Sequence, residues 1–68
     1  MPRIGMKFKP TFRGSGIDHF EVRGYDKERD MVLTTCFPKD GRSSFPDEIE
    51  KVYFDAAFEI GEYVVLDE

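Results

Sequence analysis

The side chains suited to acid–base or nucleophilic chemistry are few, because this 68-residue chain has one histidine, His19, and one cysteine, Cys36. On the strand predicted for this region, His19 and Glu21 share a face, so this carboxylate could orient the imidazole as a general base. Asp18 is adjacent to His19 and points to the opposite face. A nucleophilic Cys36 would need a base beside it, and we expect a small buried hydrophobe instead. The sequence therefore predicts that the protein is not an enzyme.

Motifs for metals and phosphates are incomplete. Asp26, Glu28 and Asp30 alternate as ligands of a calcium loop do, but the later glycine and the bidentate glutamate of an EF-hand are missing. The Gly14–Gly16 segment lacks the lysine and the length of a phosphate-binding loop. One histidine and one cysteine cannot form a zinc site of such ligands within a chain. We predict no cofactor and no metal, and the sequence identifies no small-molecule substrate.

The composition is that of a small globular domain in a reducing compartment. Hydrophobic residues make up 40% of the chain and charged residues 35%, and the formal net charge is -4. A single cysteine allows no intramolecular disulfide, no apolar run reaches the roughly 18 residues of a membrane span, and no signal peptide is recognisable. We predict one domain over residues 1–68, located in the cytoplasm, of the kind found among small bacterial or phage proteins.

Hydrophobic periodicity predicts the elements that would position these side chains. Alternation of apolar with polar residues indicates strands, and Met6, Phe8 and Phe12 share the apolar side of the first. The polar loop 26–30 joins the second and third strands as a hairpin, which places His19 beside Phe37. The strands are predicted over residues 5–12, 17–25, 31–37 and 62–66.

A change of period after the third strand indicates a helix. Ser44 is an N-cap candidate, Pro46 suits a first turn, and the helix would run to Ile60 with Gly61 as its left-handed C′ residue. The predicted fold class is α+β: a small antiparallel sheet of three to four strands with one helix packed on one face, in the order β-β-β-α-β.

The predicted helix carries more apolar surface than one core stripe requires. On a helical wheel, one apolar stripe is expected to face the core, and it consists of Ile49, Val52, Tyr53, Ala56 and Ile60. Phe54 and Phe58 fall on the other side, beside Lys51 and Asp55. Either loops near Phe45 cover these two rings, or the rings contact another chain. We predict a protein-interaction or assembly module with Phe54, Phe58, Lys51 and Asp55 at its interface, binding a second copy in a homodimer or a larger protein.

Charge is distributed unevenly along the chain. Residues 1–34 carry a net charge of +2 and residues 35–68 a net charge of -6, with Asp67 and Glu68 in the acidic tail. The acidic part could dock a basic partner or imitate a nucleic acid. As the alternative function, Lys7, Lys9, Arg13 and Arg23, together with Tyr25, could form a basic and aromatic sheet face for single-stranded nucleic acid. The overall acidity opposes that alternative, because phosphate attraction is long-ranged.

Overall fold

A five-stranded antiparallel sheet with one helix across one face is formed by residues 3–66, which the computed structural model describes. The order across the sheet is β4-β3-β2-β1-β5, so β4 and β5 are its edges. The predicted α+β class is confirmed, but the sheet has five strands and not the predicted three to four. The tail residues Asp67 and Glu68 lie outside the described residues. The elements are β1 (Lys7–Pro10), β2 (Ile17–Asp26), β3 (Met31–Pro38), β4 (Phe45–Glu50), α1 (Lys51–Glu59) and β5 (Tyr63–Val65).

The predicted helix start at Ser44 was wrong, because Phe45–Glu50 is a strand and the helix begins at Lys51. In β4, Ile49 lies opposite Val32 of β3 and is buried in the core. Pro46 is tolerated there because β4 is an edge strand, where a missing N–H need not break a ladder bond. The proline and acids that resemble a helix start also suit an exposed edge that resists further strand pairing. The order is therefore β-β-β-β-α-β.

Two bulges in β2 decide which of its side chains face the helix. The register with β3 shifts at Asp18 and again at Arg23. A one-residue shift exchanges the two faces of a strand. Tyr25 consequently lies opposite Val32 and packs against the core, so the prediction that it shares the face of Arg23 was wrong.

Phe8 is the centre of an aromatic cluster between the sheet and the helix. Its side chain is fully buried, and its ring centroid lies 5.0 Å from those of Phe20 and Tyr63, 5.3 Å from that of Phe54 and 5.4 Å from that of Phe58. Burial raises the pKa of the Tyr63 phenol to about 12. The other buried residues are Pro10, Val22, Val32, Thr34, Cys36, Ile49 and Ala57. The fold therefore rests largely on ring packing.

The helix ends in a motif that directs the chain into β5. Gly61 adopts φ +84°, its N–H donates to the Phe58 carbonyl at 3.3 Å, and the Glu62 N–H donates to the Ala57 carbonyl at 2.8 Å. This pair of bonds is a Schellman motif, which needs a left-handed residue at C′. The predicted role of Gly61 is confirmed.

An arginine in the β2–β3 turn ties the hairpin to the edge strand. Arg29 donates to Asp26 Oδ2 at 2.8 Å and to both carboxylate oxygens of Glu48 in β4 at 2.9 Å. These hydrogen bonds lower the pKa of both carboxyl groups below their usual values.

The stability contributed by Arg29 is expected to depend on pH. A carboxyl group with a lowered pKa in the folded state stabilises the fold above its unfolded pKa, and that stability is lost as the pH falls. The melting temperature should therefore drop between about pH 5 and pH 3 more in the wild type than in Arg29→Gln. Circular dichroism melts measure this. Parallel pH curves for the two proteins would contradict the assigned role of Arg29.

Candidate functional site

The outer side of α1 exposes an apolar stripe. Val52 is 74% exposed and Ile60 is 69% exposed, and Ala56 between them is exposed as well. These residues are spaced by four, so they lie above one another on one side of the helix. Val52, Ala56 and Ile60 are called the helix stripe below. Within residues 3–66, the fold leaves this stripe facing outward.

This orientation is the reverse of the predicted one. Phe54 is only 4% exposed, and Phe58 is half-buried with its ring centroid 4.9 Å from that of Phe54. The prediction that these two rings lie on the side of the helix away from the core was wrong, and neither ring can supply a free aromatic surface. The predicted surplus of apolar helix surface is present, but it consists of the helix stripe.

Acidic side chains border the helix stripe on both sides. Asp55 and Glu59 lie on one side by helical position. On the other side, the Tyr53 hydroxyl donates to Glu62 Oε1 at 3.0 Å, which raises the pKa of the phenol. The predicted interface residue Lys51 forms an ion pair with Asp55, at 2.6 Å from Nζ to Oδ2. The stripe is thus an apolar surface with a mainly acidic rim.

The sheet face away from the helix is basic and aromatic near β1 and β2, and it is called the open face. Lys7 and Lys9 alternate with the buried Phe8, so they point away from the helix. The ring of His19 stacks on that of Phe37, with centroids 4.4 Å apart and planes 11° apart. The predicted pairing of these two residues across the hairpin is confirmed.

Arg23 also lies on the open face, where neighbouring side chains hold it. Its Nε donates to Thr35 Oγ1 at 2.7 Å, and its Nη1 lies 3.5 Å from Glu21 Oε2. Glu21 is therefore directed toward Arg23, and the expected pairing of this carboxylate with His19 is not formed. Of the predicted basic residues, Arg23 is the one whose charge is already balanced.

A basic cleft of about 630 Å³ opens at the end of the open face, where β1 leads into the β1–β2 turn. Its lining includes Lys9, Arg13, Lys39, Asp18 and a Phe12 side chain that is 52% exposed. No side chain among residues 3–66 forms an ion pair with any of the three cations. The predicted basic residues Lys9 and Arg13 thus meet at one site, with Lys7 farther along β1.

Sequence reasoning missed two members of the basic cleft. Lys39 follows β3 and reaches Lys9 only because β2 and β3 pair, so that its N–H donates to the Gly16 carbonyl at 3.0 Å. Phe12 was expected on the apolar side of the first strand, but β1 ends at Pro10 and its ring is turned outward. The proline was the local signal that this strand stops early.

The groups suited to chemistry do not converge on a reacting centre. His19 Nδ1 lies 2.6 Å from Asp18 Oδ2, contrary to the prediction, because the bulge at Asp18 removes the strict alternation of faces. Cys36 is buried on the helix side, and burial raises the pKa of its thiol. Its interpretation as a small buried hydrophobe is confirmed, and it cannot meet His19 on the opposite face.

Comparisons with protein families, with curated proteins and with solved structures find no match to this chain. In the part of the chain that the structure describes, no helix is long and apolar enough to cross a membrane. The same residues contain no group of three or more His, Cys, Asp or Glu that could hold a metal ion. The helix stripe and the open face are therefore the two surfaces suited to bind a partner.

Proposed function

We propose that this protein is a non-catalytic interaction module that binds a basic, partly apolar segment of another protein through the helix stripe. The exposure of Val52 and Ile60 carries the proposal, because α1 already has a complete buried side in Phe54 and Ala57. Removing a side chain of this type from water is favourable by roughly 1.5–3 kcal/mol. Contiguous apolar surface on a small domain commonly marks an interaction site.

Charge favours a different protein over a second copy. An antiparallel two-fold pair of α1 helices sets the side with Asp55 and Glu59 against the same side of the second copy. A parallel pair sets the side with Asp55 and Glu59 near Glu62 of the second copy, which is also acidic. Like charges that face each other oppose association, whereas basic residues beside an apolar segment would complement this rim. We therefore expect static light scattering to give the mass of one chain, 7.9 kDa, at all concentrations.

The Val52→Ser and Ile60→Ser double variant is expected to lose the protein partner while the fold survives. Both residues are highly exposed, so their replacement removes contact surface and leaves the core unchanged. In a pull-down from the native host, recovery of the partner should fall by about tenfold or more, because two apolar contacts are lost. A crosslinker placed at position 56 should attach to a segment rich in Lys or Arg.

Ile4→Ser provides the matched control. Ile4 is 75% exposed, which is close to the 69% of Ile60. Ile4 precedes β1, however, and lies outside the helix stripe. The control should recover the partner as the wild type does. Equal recovery by the double variant and the wild type would overturn the proposed function, as would a crosslinked segment that is acidic.

A further inference from the structure

We propose that the open face, with the basic cleft at its end, binds single-stranded nucleic acid. This site is separate from the helix stripe, which lies on the other side of the sheet, so it does not depend on the proposed protein interaction. Two features point to such a ligand: cations without ion pairs line a cavity, and the exposed ring of Phe12 lies beside them, with the half-buried His19 and Phe37 rings on the same face.

The cations of the basic cleft are placed to receive phosphates. Lys9, Arg13 and Lys39 line about 630 Å³ of open space, and no side chain of residues 3–66 forms an ion pair with them. Like charges gathered in a concave site focus the field and attract anions. The lining holds one carboxylate, Asp18, whose Oδ2 lies 2.6 Å from His19 Nδ1, so three cations outnumber one anion. The cleft therefore keeps a local positive charge although the chain as a whole is acidic.

Aromatic rings lie where bases would stack. Phe12 is half-exposed in the lining of the cleft, beside Arg13. The stacked rings of His19 and Phe37 lie on the same open face. Single-strand binding sites combine a cationic groove with such rings, because every base has a face that can stack. An apolar ring left in water beside cations is better explained by a base than by an inorganic anion.

The shape of the positive surface favours a strand over a mononucleotide or a duplex. Lys7 continues the charge from Lys9 along β1 by about 7 Å, which is two residues of a strand. The surface therefore extends beyond one phosphate. Asp47, Glu48 and Glu50 make the β4 edge acidic, so the positive region is a strip along β1 and into the β1–β2 turn, where Arg13 lies. A narrow positive strip can contact one phosphate backbone, whereas a duplex presents two phosphate backbones.

Fluorescence anisotropy with the full chain and a labelled 12-nucleotide oligothymidylate would test this site. Binding should be strongest at low salt, since each phosphate contact releases counterions. Four contacts, from Lys7, Lys9, Arg13 and Lys39, give a slope of about -3 for the logarithm of the binding constant against that of the salt concentration, so a tenfold rise in salt should weaken binding by several hundredfold. Lys39→Gln should lower the magnitude of this slope by about 0.7, and Lys9→Gln, Arg13→Gln and Lys39→Gln together should leave only the contribution of Lys7, about 0.7.

Lys27→Gln is the matched control, because Lys27 is an exposed lysine in the turn at the opposite end of the sheet. It makes the same charge change as Lys39→Gln and should leave both affinity and slope unchanged. Phe12→Ser should weaken binding by about five- to a hundredfold, the range for loss of one stacked base, with the slope unchanged. Circular dichroism would check the fold of each variant, and the single Lys39→Gln variant suffices if the triple variant is unfolded.

Several outcomes would overturn this proposal. These are no binding at 20 mM salt, equal affinity for thymidine monophosphate or a duplex of the same length, and equal effects of Lys27→Gln and Lys39→Gln. The double variant of Val52 and Ile60 should bind the oligonucleotide as the wild type does. A failure of this site can therefore be distinguished from a failure of the helix stripe.

Discussion

Phe8→Ala is expected to leave most of the protein unfolded at 25 °C. The Phe8 ring is fully buried and meets the rings of Phe20, Phe54, Phe58 and Tyr63. Truncating a buried phenylalanine costs about 3–5 kcal/mol. The net stability of a domain this small is itself on the order of 3–5 kcal/mol. Urea unfolding followed by circular dichroism should show little or no folded baseline.

Phe12→Ala is the control for this result. It makes the same chemical change only four positions later, on a ring that is half-exposed in the β1–β2 turn. Its cost should stay within about 0.5 kcal/mol, as for surface substitutions. A comparable loss of stability in both variants would show that Phe8 is not the centre of the core.

The parts of the fold that depend on local signals could be predicted from the sequence. The β2–β3 hairpin is one of these, since a short polar loop between alternating strands sets which residues face each other. The loop sets Asp26 opposite Met31, and after the one-residue shift at Arg23 His19 lies opposite Phe37, its predicted neighbour. The end of α1 is another, because Gly61 can take the left-handed conformation without strain.

Features set by pairing with distant residues could not be predicted in the same way. β4 is six residues, three of them acidic, with no regular alternation of apolar and polar residues, and its conformation depends on the free edge of β3. The bulge at Arg23 moves Tyr25 to the helix side, and its one local signal is Gly24, since a glycine within a strand often marks a bulge. Lys39 joins the basic cleft through strand pairing.

The orientation of the helix depends on which of its two apolar sides buries more area, and a helical wheel does not compare these areas. Without Ile49, which belongs to β4, the helix has two apolar sides of similar width. One carries Phe54, Ala57 and Phe58, and the other is the helix stripe. Each buried aromatic ring removes about 150–250 Å² from water, more than a valine or an alanine can. Burying the side with two rings therefore stabilises the fold more, and it leaves the smaller side chains for a partner.

Phe54→Ala and Ile60→Ala test this orientation directly. Phe54 is buried against Phe8, so its truncation should cost about 3–5 kcal/mol of unfolding free energy. Ile60→Ala should change stability by about 0.5 kcal/mol or less, because the side chain is mostly in water. Urea denaturation of both variants beside the wild type measures the difference. If Ile60→Ala were the more destabilising, the helix would be rotated, the helix stripe would belong to the core, and the proposed protein-binding surface would not exist.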